Sequence, residues 1–192
     1  LLQQGVAVNE LCENYHQQLQ SLIESNGLSV DVLQDQFGQT RDRQITQDKA
    51  AWIASNPVFE GIVEKLKTLD QDDWIIITTK QERFVRYILQ GNDIQLDDSR
   101  IYGLDRKLGK QVILKNLKAS HPERPIIFIE DRLPTLLGVL ENPDLQAIKV
   151  QLADWGYNTE IERNLAQDHG IEVIGKEEFL QVHENSLRIL NS

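Results

Sequence analysis

A run of four large apolar residues, residues 126–129, leads directly into two acids, and this feature most constrains the fold. An unbroken apolar run of this length is typical of a parallel strand buried on both faces, and open α/β sheets bind ligands at the carboxyl ends of such strands. Carboxylates are costly there unless a positive group neutralises them. Glu130 and Asp131 therefore indicate either an oxygen-ligated cation such as Mg²⁺ or an acid pair that caps a helix beginning near Pro134.

Short apolar runs alternate with helical periods along the chain from Pro57 onward. Alternation of this kind is typical of right-handed crossovers around a mostly parallel sheet. We therefore predict an α/β fold with a doubly wound, mostly parallel sheet. The predicted strands are residues 74–78, 100–102, 126–129, 148–152 and 172–174, and the predicted helices are residues 58–69, 82–90, 110–119, 134–140 and 159–167.

The first 56 residues show helical patterns and no convincing strand. Apolar residues recur at helical spacing over residues 6–25, and two further short helices are predicted at residues 29–37 and 47–54, separated by a polar stretch. Cys12 lies on the apolar face of the first helix, which favours a packed thiol over a nucleophile. We therefore divide the chain into a helical segment, residues 1–56, and an α/β domain, residues 57–192.

Composition argues against several classes of function. The formal net charge of -10 repels polyanions, so neither nucleic acid nor an anionic membrane surface is an expected partner. A single cysteine allows no internal disulfide, and no apolar stretch approaches the length that spans a membrane. We expect the protein to act in the cytoplasm, because these features fit a reducing compartment.

Polar groups suited to phosphate chemistry follow the predicted strands. Thr78 ends one apolar run, and we expect its hydroxyl and backbone N–H to lie at the N-terminus of the next helix, where anions bind readily. Lys110 begins the helix that precedes the acidic strand. A hydroxyl, an ammonium and metal-binding acids at one sheet edge suit phosphoryl transfer, in which catalysis depends mainly on stabilising charge on the transferred group.

These groups occur in the order of the motifs of the haloacid dehalogenase superfamily, which the chain resembles over about residues 56–175. Residues 56–66 resemble the segment that leads from the inserted cap of that family into its core. Residues 76–80, Ile-Ile-Thr-Thr-Lys, are similar to the second motif, Lys110 to the lysine of the third, and Ile129-Glu130-Asp131 to the fourth. Residues 153–158 resemble a Gly-Tyr-Asn loop of phosphoglycolate phosphatase-like members.

The resemblance implies a Mg²⁺-dependent phosphohydrolase with a helical cap ahead of its core. Such an enzyme acts on a small phosphorylated metabolite through an aspartyl-phosphate intermediate. The residues that the resemblance assigns are Thr78 and Lys110 for catalysis, Asp131 and Glu130 for the metal, and Thr79, Lys80 and Asn158 for the substrate.

Two competing interpretations concern residues 103–110. The stretch nearly matches a phosphate-binding P-loop, but five residues instead of four separate its glycines, and Gln111 replaces the required Ser or Thr. A P-loop nucleotide hydrolase is therefore disfavoured. Lys107 competes with Lys110 for the phosphate, and we favour Lys110 because it aligns with the start of the helix in the family.

The first motif of the family, Asp-x-Asp on the first strand, does not occur on any predicted strand. Asp70-Gln71-Asp72 has the right residues, but it precedes the strand at residues 74–78 and so lies at the wrong end. We expect the nucleophilic Asp upstream of Leu1, on a strand that the resemblance places beside those ending at Thr78 and Asp131. The alternative is a non-catalytic phosphate-binding or regulatory module on the same fold.

Overall fold

The structure is a computed structural model that describes the backbone of residues 8–181 and the side chains of residues 17–181. The chain divides between Asn56 and Pro57 into two compact units. None of the helices within residues 8–181 has the length and apolar character needed to cross a membrane.

The described part of the first unit is helical. Its helices are α1 Val8–Ser25, α2 Val30–Gln47 and α3 Lys49–Ala54. Ser29 caps α2 by accepting a hydrogen bond from the Val32 N–H at 3.2 Å, and Asp48 caps α3 in the same way through Ala51. The side chain of Cys12 lies outside the described residues, so its packing stays a prediction.

The prediction of two short helices separated by residues 38–43 was wrong, because α2 runs through this stretch without a break. A glycine in a helix costs only about 1 kcal/mol relative to alanine. Gly38 is buried in α2. The helix ends instead at Asp48, where the backbone becomes extended.

Helices and strands alternate in the second unit, which confirms the prediction of a mixed α/β architecture. Most elements begin and end within one residue of their predicted positions. The elements in chain order are α4 Ile62–Thr68, β1 Ile76–Ile77, α5 Glu82–Gly91, β2 Ile101–Tyr102, α6 Lys110–Ser120, β3 Ile126–Glu130, α7 Leu133–Leu140, β4 Ile148–Ala153, α8 Glu160–Asp168, β5 Glu172–Ile174 and α9 Lys176–Gln181.

Two predicted boundaries in this unit were wrong. The helix expected from residue 58 begins at Ile62, because Gly61 has a φ of 83° and a left-handed backbone that does not continue a helix. The strand expected at residues 74–78 is limited to Ile76 and Ile77, since its partner β2 is itself only two residues long.

The described strands form two small parallel sheets. One contains β1 and β2, with Ile76 opposite Ile101. The other has the order β3-β4-β5, with Ile126 opposite Ile148 and Leu152 opposite Val173. Within residues 57–181, β1 and β3 share no backbone pairing, so the single sheet of the sequence prediction is divided.

Contacts at both ends of the strands indicate that the two sheets run in the same direction. Arg124, just before β3, donates from Nη1 to the backbone oxygen of Asp72, just before β1, at 3.1 Å. At the opposite end, Lys110, which follows β2, contacts Glu130, the last residue of β3. Because β1 and β2 are parallel, the carboxyl ends of β1, β2 and β3 lie on one side of the unit.

Two apolar clusters form the core of the second unit within residues 57–181. The larger one surrounds β3 and β4 and includes Leu136 and Leu152, both 0% exposed. The smaller one surrounds β2 and α5. Ile76 packs against the smaller cluster and Ile77 against the larger, as expected for neighbouring strand residues that face opposite ways. The short strand β1 therefore connects both clusters.

Candidate functional site

An ion pair between Lys110 and Glu130 lies at the carboxyl end of β3. Lys110 Nζ contacts Glu130 Oε2, and the side chain of Glu130 is only 7% exposed whereas that of Lys110 is 23% exposed. Lys110 is the first residue of α6, and its N-cap residue Gly109 provides no side-chain cap. The ammonium compensates the nearly buried carboxylate, so Glu130 can be buried here without a metal ion.

Asp131 is held by the loop that follows β4. Its Oδ2 accepts a hydrogen bond from the Tyr157 N–H at 3.1 Å, and Asn158 Nδ2 donates to its backbone oxygen at 3.0 Å. Gly156 lies so close that a Cβ at this position would be 2.8 Å from Asp131 Cγ. These contacts fix the carboxylate and leave Oδ1 as the oxygen that the loop does not engage.

Asn158 uses both ends of its side chain inside the protein. Its Nδ2 donates to the backbone oxygens of Asp131 at 3.0 Å and Ala153 at 2.8 Å, while its Oδ1 accepts from Arg163 Nη1 at 2.9 Å. The side chain therefore ties the end of β3 to the end of β4. The assignment of Asn158 to the substrate stays a prediction, and a substrate at this side chain would compete with these bonds.

Thr78, Thr79 and Lys80 follow β1. The Thr78 N–H donates to the backbone oxygen of Tyr102 at 2.9 Å, and Thr78 Oγ1 accepts from the Lys80 N–H at 3.1 Å. The expectation that the Thr78 N–H would face an anion was wrong, because it extends the pairing of β1 with β2. A hydroxyl that accepts one hydrogen bond still has its proton to donate, so the side chain of Thr78 keeps a donor for a phosphoryl oxygen.

The N-terminus of α5 already has an internal anionic partner. The helix begins at Glu82, and the Glu82 N–H donates to Asp105 Oδ2 at 2.6 Å. A carboxylate at this place satisfies an N–H that a helix start leaves without an intrahelical partner. An external anion at the start of α5 would compete with Asp105.

Arginine side chains surround the carboxylate of Glu82. Burial opposes its charged form, but hydrogen bonds from Arg106 and the Gly103 N–H, with the charges of Arg106 and Arg86, outweigh that effect and hold its pKa below the usual value. The sequence analysis did not single out Glu82. The only sequence signal is its i,i+4 spacing from Arg86, which is typical of a helical ion pair, whereas Arg106 is 24 residues away in sequence.

The side chains in the described residues show how much of a Mg²⁺ site this part of the chain can supply. Residues 17–181 contain no group of three or more His, Cys, Asp or Glu side chains that could hold a metal ion. Mg²⁺ is commonly held by one or two carboxylates, while waters and phosphate oxygens complete its shell. Asp131 Oδ1 could serve as one carboxylate ligand. These residues therefore fit a Mg²⁺ site whose other ligands are waters, phosphate oxygens or a further carboxylate.

The two groups of candidate residues lie on the same side of the unit. Lys110, Glu130, Asp131 and Asn158 are joined by direct contacts around the ends of β3 and β4. Thr78 and Lys80 belong to the neighbouring segment after β1, which bonds to the segment after β2. A cleft shared by Thr78, Lys110 and Asp131 stays a prediction.

No protein family, curated protein or solved structure matches the chain. The resemblance to the haloacid dehalogenase superfamily therefore depends on the residues and spacings described above.

Proposed function

We propose that the protein is a Mg²⁺-dependent phosphohydrolase of the haloacid dehalogenase type that acts on a small phosphomonoester in the cytoplasm. The observations that support this proposal are the parallel pairing of β1 with β2 and the two contacts that link these strands to the two ends of β3. From them we infer that the segment after β1, the pair of Lys110 with Glu130, and Asp131 lie on one side of the unit. The proposed core is a doubly wound sheet in which the two small sheets are parts of one.

Each residue has one task in this proposal. Thr78 donates its hydroxyl proton to an oxygen of the transferred phosphoryl group, and Lys110 neutralises the charge on that group. Glu130 keeps the ammonium of Lys110 in place. Asp131 contributes Oδ1 to the metal, and a bound Mg²⁺ supplies the positive charge that stabilises the phosphoryl oxygens in the transition state.

The proposed nucleophile is an Asp on an additional strand encoded upstream of Leu1. In the described residues, β1 pairs only with β2 and β3 only with β4 within its sheet, so each has one edge without a strand partner. Unpaired strand edges carry N–H and C=O groups that a further strand satisfies. A parallel strand between β1 and β3 would pair both edges and end beside Thr78 and Asp131.

Two buried polar atoms near β1 also support an additional strand beside it. Trp74 Nε1, just before β1, and Gln81 Oε1, within the segment that follows β1, are buried without a hydrogen-bond partner in the described part of the chain. Buried polar groups are nearly always hydrogen-bonded in folded proteins. A neighbouring backbone would offer an acceptor for the indole N–H and a donor for the amide oxygen.

The alternative is a non-catalytic phosphate-binding or regulatory module on the same fold. This alternative is supported by the internal partners of the candidate residues. Glu130 contacts Lys110, and Asn158 forms hydrogen bonds at both ends of its side chain. The sequence upstream of Leu1 discriminates between the two proposals. An apolar strand that ends in Asp-x-Asp favours the enzyme.

The direct test is hydrolysis of a panel of phosphorylated metabolites by the full-length protein, with Mg²⁺ and with EDTA. We expect release of inorganic phosphate from one class of phosphomonoester in the presence of Mg²⁺ and none with EDTA. Binding of phosphate or phosphomonoesters without any turnover would support the non-catalytic alternative and contradict the enzymatic proposal.

A further inference from the structure

The segments that follow β1 and β2 are hydrogen-bonded to each other beyond the strands. The Thr78 N–H donates to the Tyr102 oxygen at 2.9 Å, and the Leu104 N–H donates to the Lys80 oxygen at 3.1 Å. Gly103 permits this approach, since a Cβ at that position would lie 2.8 Å from the Lys80 oxygen. Residues 78–82 and 102–106 are therefore held together, and we call them the paired segments.

The carboxylate of Glu82 closes the paired segments. Its Oε1 accepts from Arg106 Nε at 2.5 Å and from the Gly103 N–H at 3.2 Å, and its Oε2 accepts from Arg86 Nη2 at 3.1 Å. The side chain is 13% exposed, and the Glu82 N–H donates to Asp105 Oδ2. One residue thus connects the start of α5 to the segment after β2 through both its backbone and its side chain.

We propose that Glu82 is a positioning residue that fixes Thr78 and Lys110 relative to each other. Thr78 lies on one of the paired segments, and Lys110 follows the other by four residues. Charge-assisted hydrogen bonds to one carboxylate are shorter and stronger than neutral ones and so restrict both segments. The roles of Thr78 and Lys110 rest on the proposed function, whereas the pairing of the segments does not.

Glu172 provides a matched control for the loss of an ion-paired carboxylate. It accepts from Lys149 Nζ at 2.7 Å and from Gln151 Nε2 at 2.9 Å, and the hydrogen bond from Lys149 is the main cause that lowers its pKa. All three residues lie on β4 and β5, outside the paired segments. Glu172→Gln therefore removes an ion-paired carboxylate, at 45% exposure a more exposed one than Glu82, without changing the segments that carry Thr78 and lead to Lys110.

The test compares Glu82→Gln and Glu172→Gln in the full-length protein. Hydrogen–deuterium exchange measures the protection of residues 78–82 and 102–106, and kcat/KM is measured for the phosphomonoester that the panel identifies. We expect faster exchange of both segments and a fall in kcat/KM of roughly tenfold for Glu82→Gln, because small displacements of binding groups are costly in rate. For Glu172→Gln we expect unchanged exchange in these segments and kcat/KM within about twofold of wild type.

Unchanged exchange in both segments for Glu82→Gln overturns the positioning role, whatever the activity of the protein. Faster exchange with unchanged kcat/KM overturns it as well, because the order of the paired segments then does not determine the positions of Thr78 and Lys110 in the site. A wild-type protein that hydrolyses no phosphomonoester contradicts the proposed function and the catalytic consequence of Glu82, while the exchange rates still decide whether Glu82 holds the segments together.

Discussion

The two neighbouring acids at the end of β3 have different surroundings. Glu130 is nearly buried and contacts Lys110, so its charge is compensated within the protein. Asp131 is fixed through Oδ2 and its backbone oxygen, which leaves Oδ1 for a ligand. The proposed metal site therefore depends on Asp131 more than on Glu130.

Replacing Asp131 with Asn is expected to abolish Mg²⁺-dependent turnover while the protein stays folded. The amide keeps the shape of the side chain but removes the charge that binds a hard cation, and we expect kcat to fall about a hundredfold or more. The measurement is the initial rate over a Mg²⁺ titration of the full-length protein.

Asp144→Asn is the matched control, because Asp144 follows α7 and is an exposed residue that pairs with Lys115. We expect its Mg²⁺ dependence to equal that of the wild type. Undiminished activity of Asp131→Asn would remove this residue from the metal site.

At the scale of the elements, short loops place the candidate residues. The loop after β4 binds Asp131 through a backbone hydrogen bond, and the paired segments after β1 and β2 contain Thr78 and bond to its backbone. The continuous apolar run of residues 126–129 predicted β3 to within one residue, because a strand buried on both faces needs such a run, and the shorter apolar patterns at residues 148–152 and 172–174 predicted β4 and β5 equally well. The loop contacts could not be predicted, since Tyr157 meets Asp131 through its backbone N–H, which every residue except proline carries.

Gly156→Ala tests the grip of this loop on Asp131. The added Cβ would lie 2.1 Å from Asp131 Cβ and 2.7 Å from Asp131 Oδ2, and overpacking of this kind costs about 1–3 kcal/mol or more. We expect the free energy of unfolding in urea to fall by that amount and the Mg²⁺ affinity to weaken.

Gly175→Ala is the control, because a Cβ at Gly175 would lie 3.6 Å from Asp154 Oδ2, an ordinary van der Waals distance. Neither glycine has a positive φ, so the two substitutions differ in space and not in backbone strain. Equal stability of the two variants would contradict the close packing of Gly156 on Asp131.

At the scale of the second unit, the division of the strands into two sheets is the feature that sequence periodicity did not predict. Periodicity reports which residues are buried but not which strands are neighbours. That information lies in contacts such as Arg124 with Asp72, 52 residues apart, and Lys110 with Glu130, 20 residues apart. The same contacts give both sheets one direction, which leaves β1 and β3 with edges that a parallel strand would pair.

The most direct test of the proposed active site is a crystal structure of the full-length protein with Mg²⁺ and orthovanadate. We predict an additional strand between β1 and β3 that ends in an Asp, with vanadate in contact with Thr78 and Lys110 and Mg²⁺ bound to Asp131. A structure in which Thr78 and Asp131 lie at opposite sheet edges, or in which β1 and β3 pair directly with each other, would contradict it.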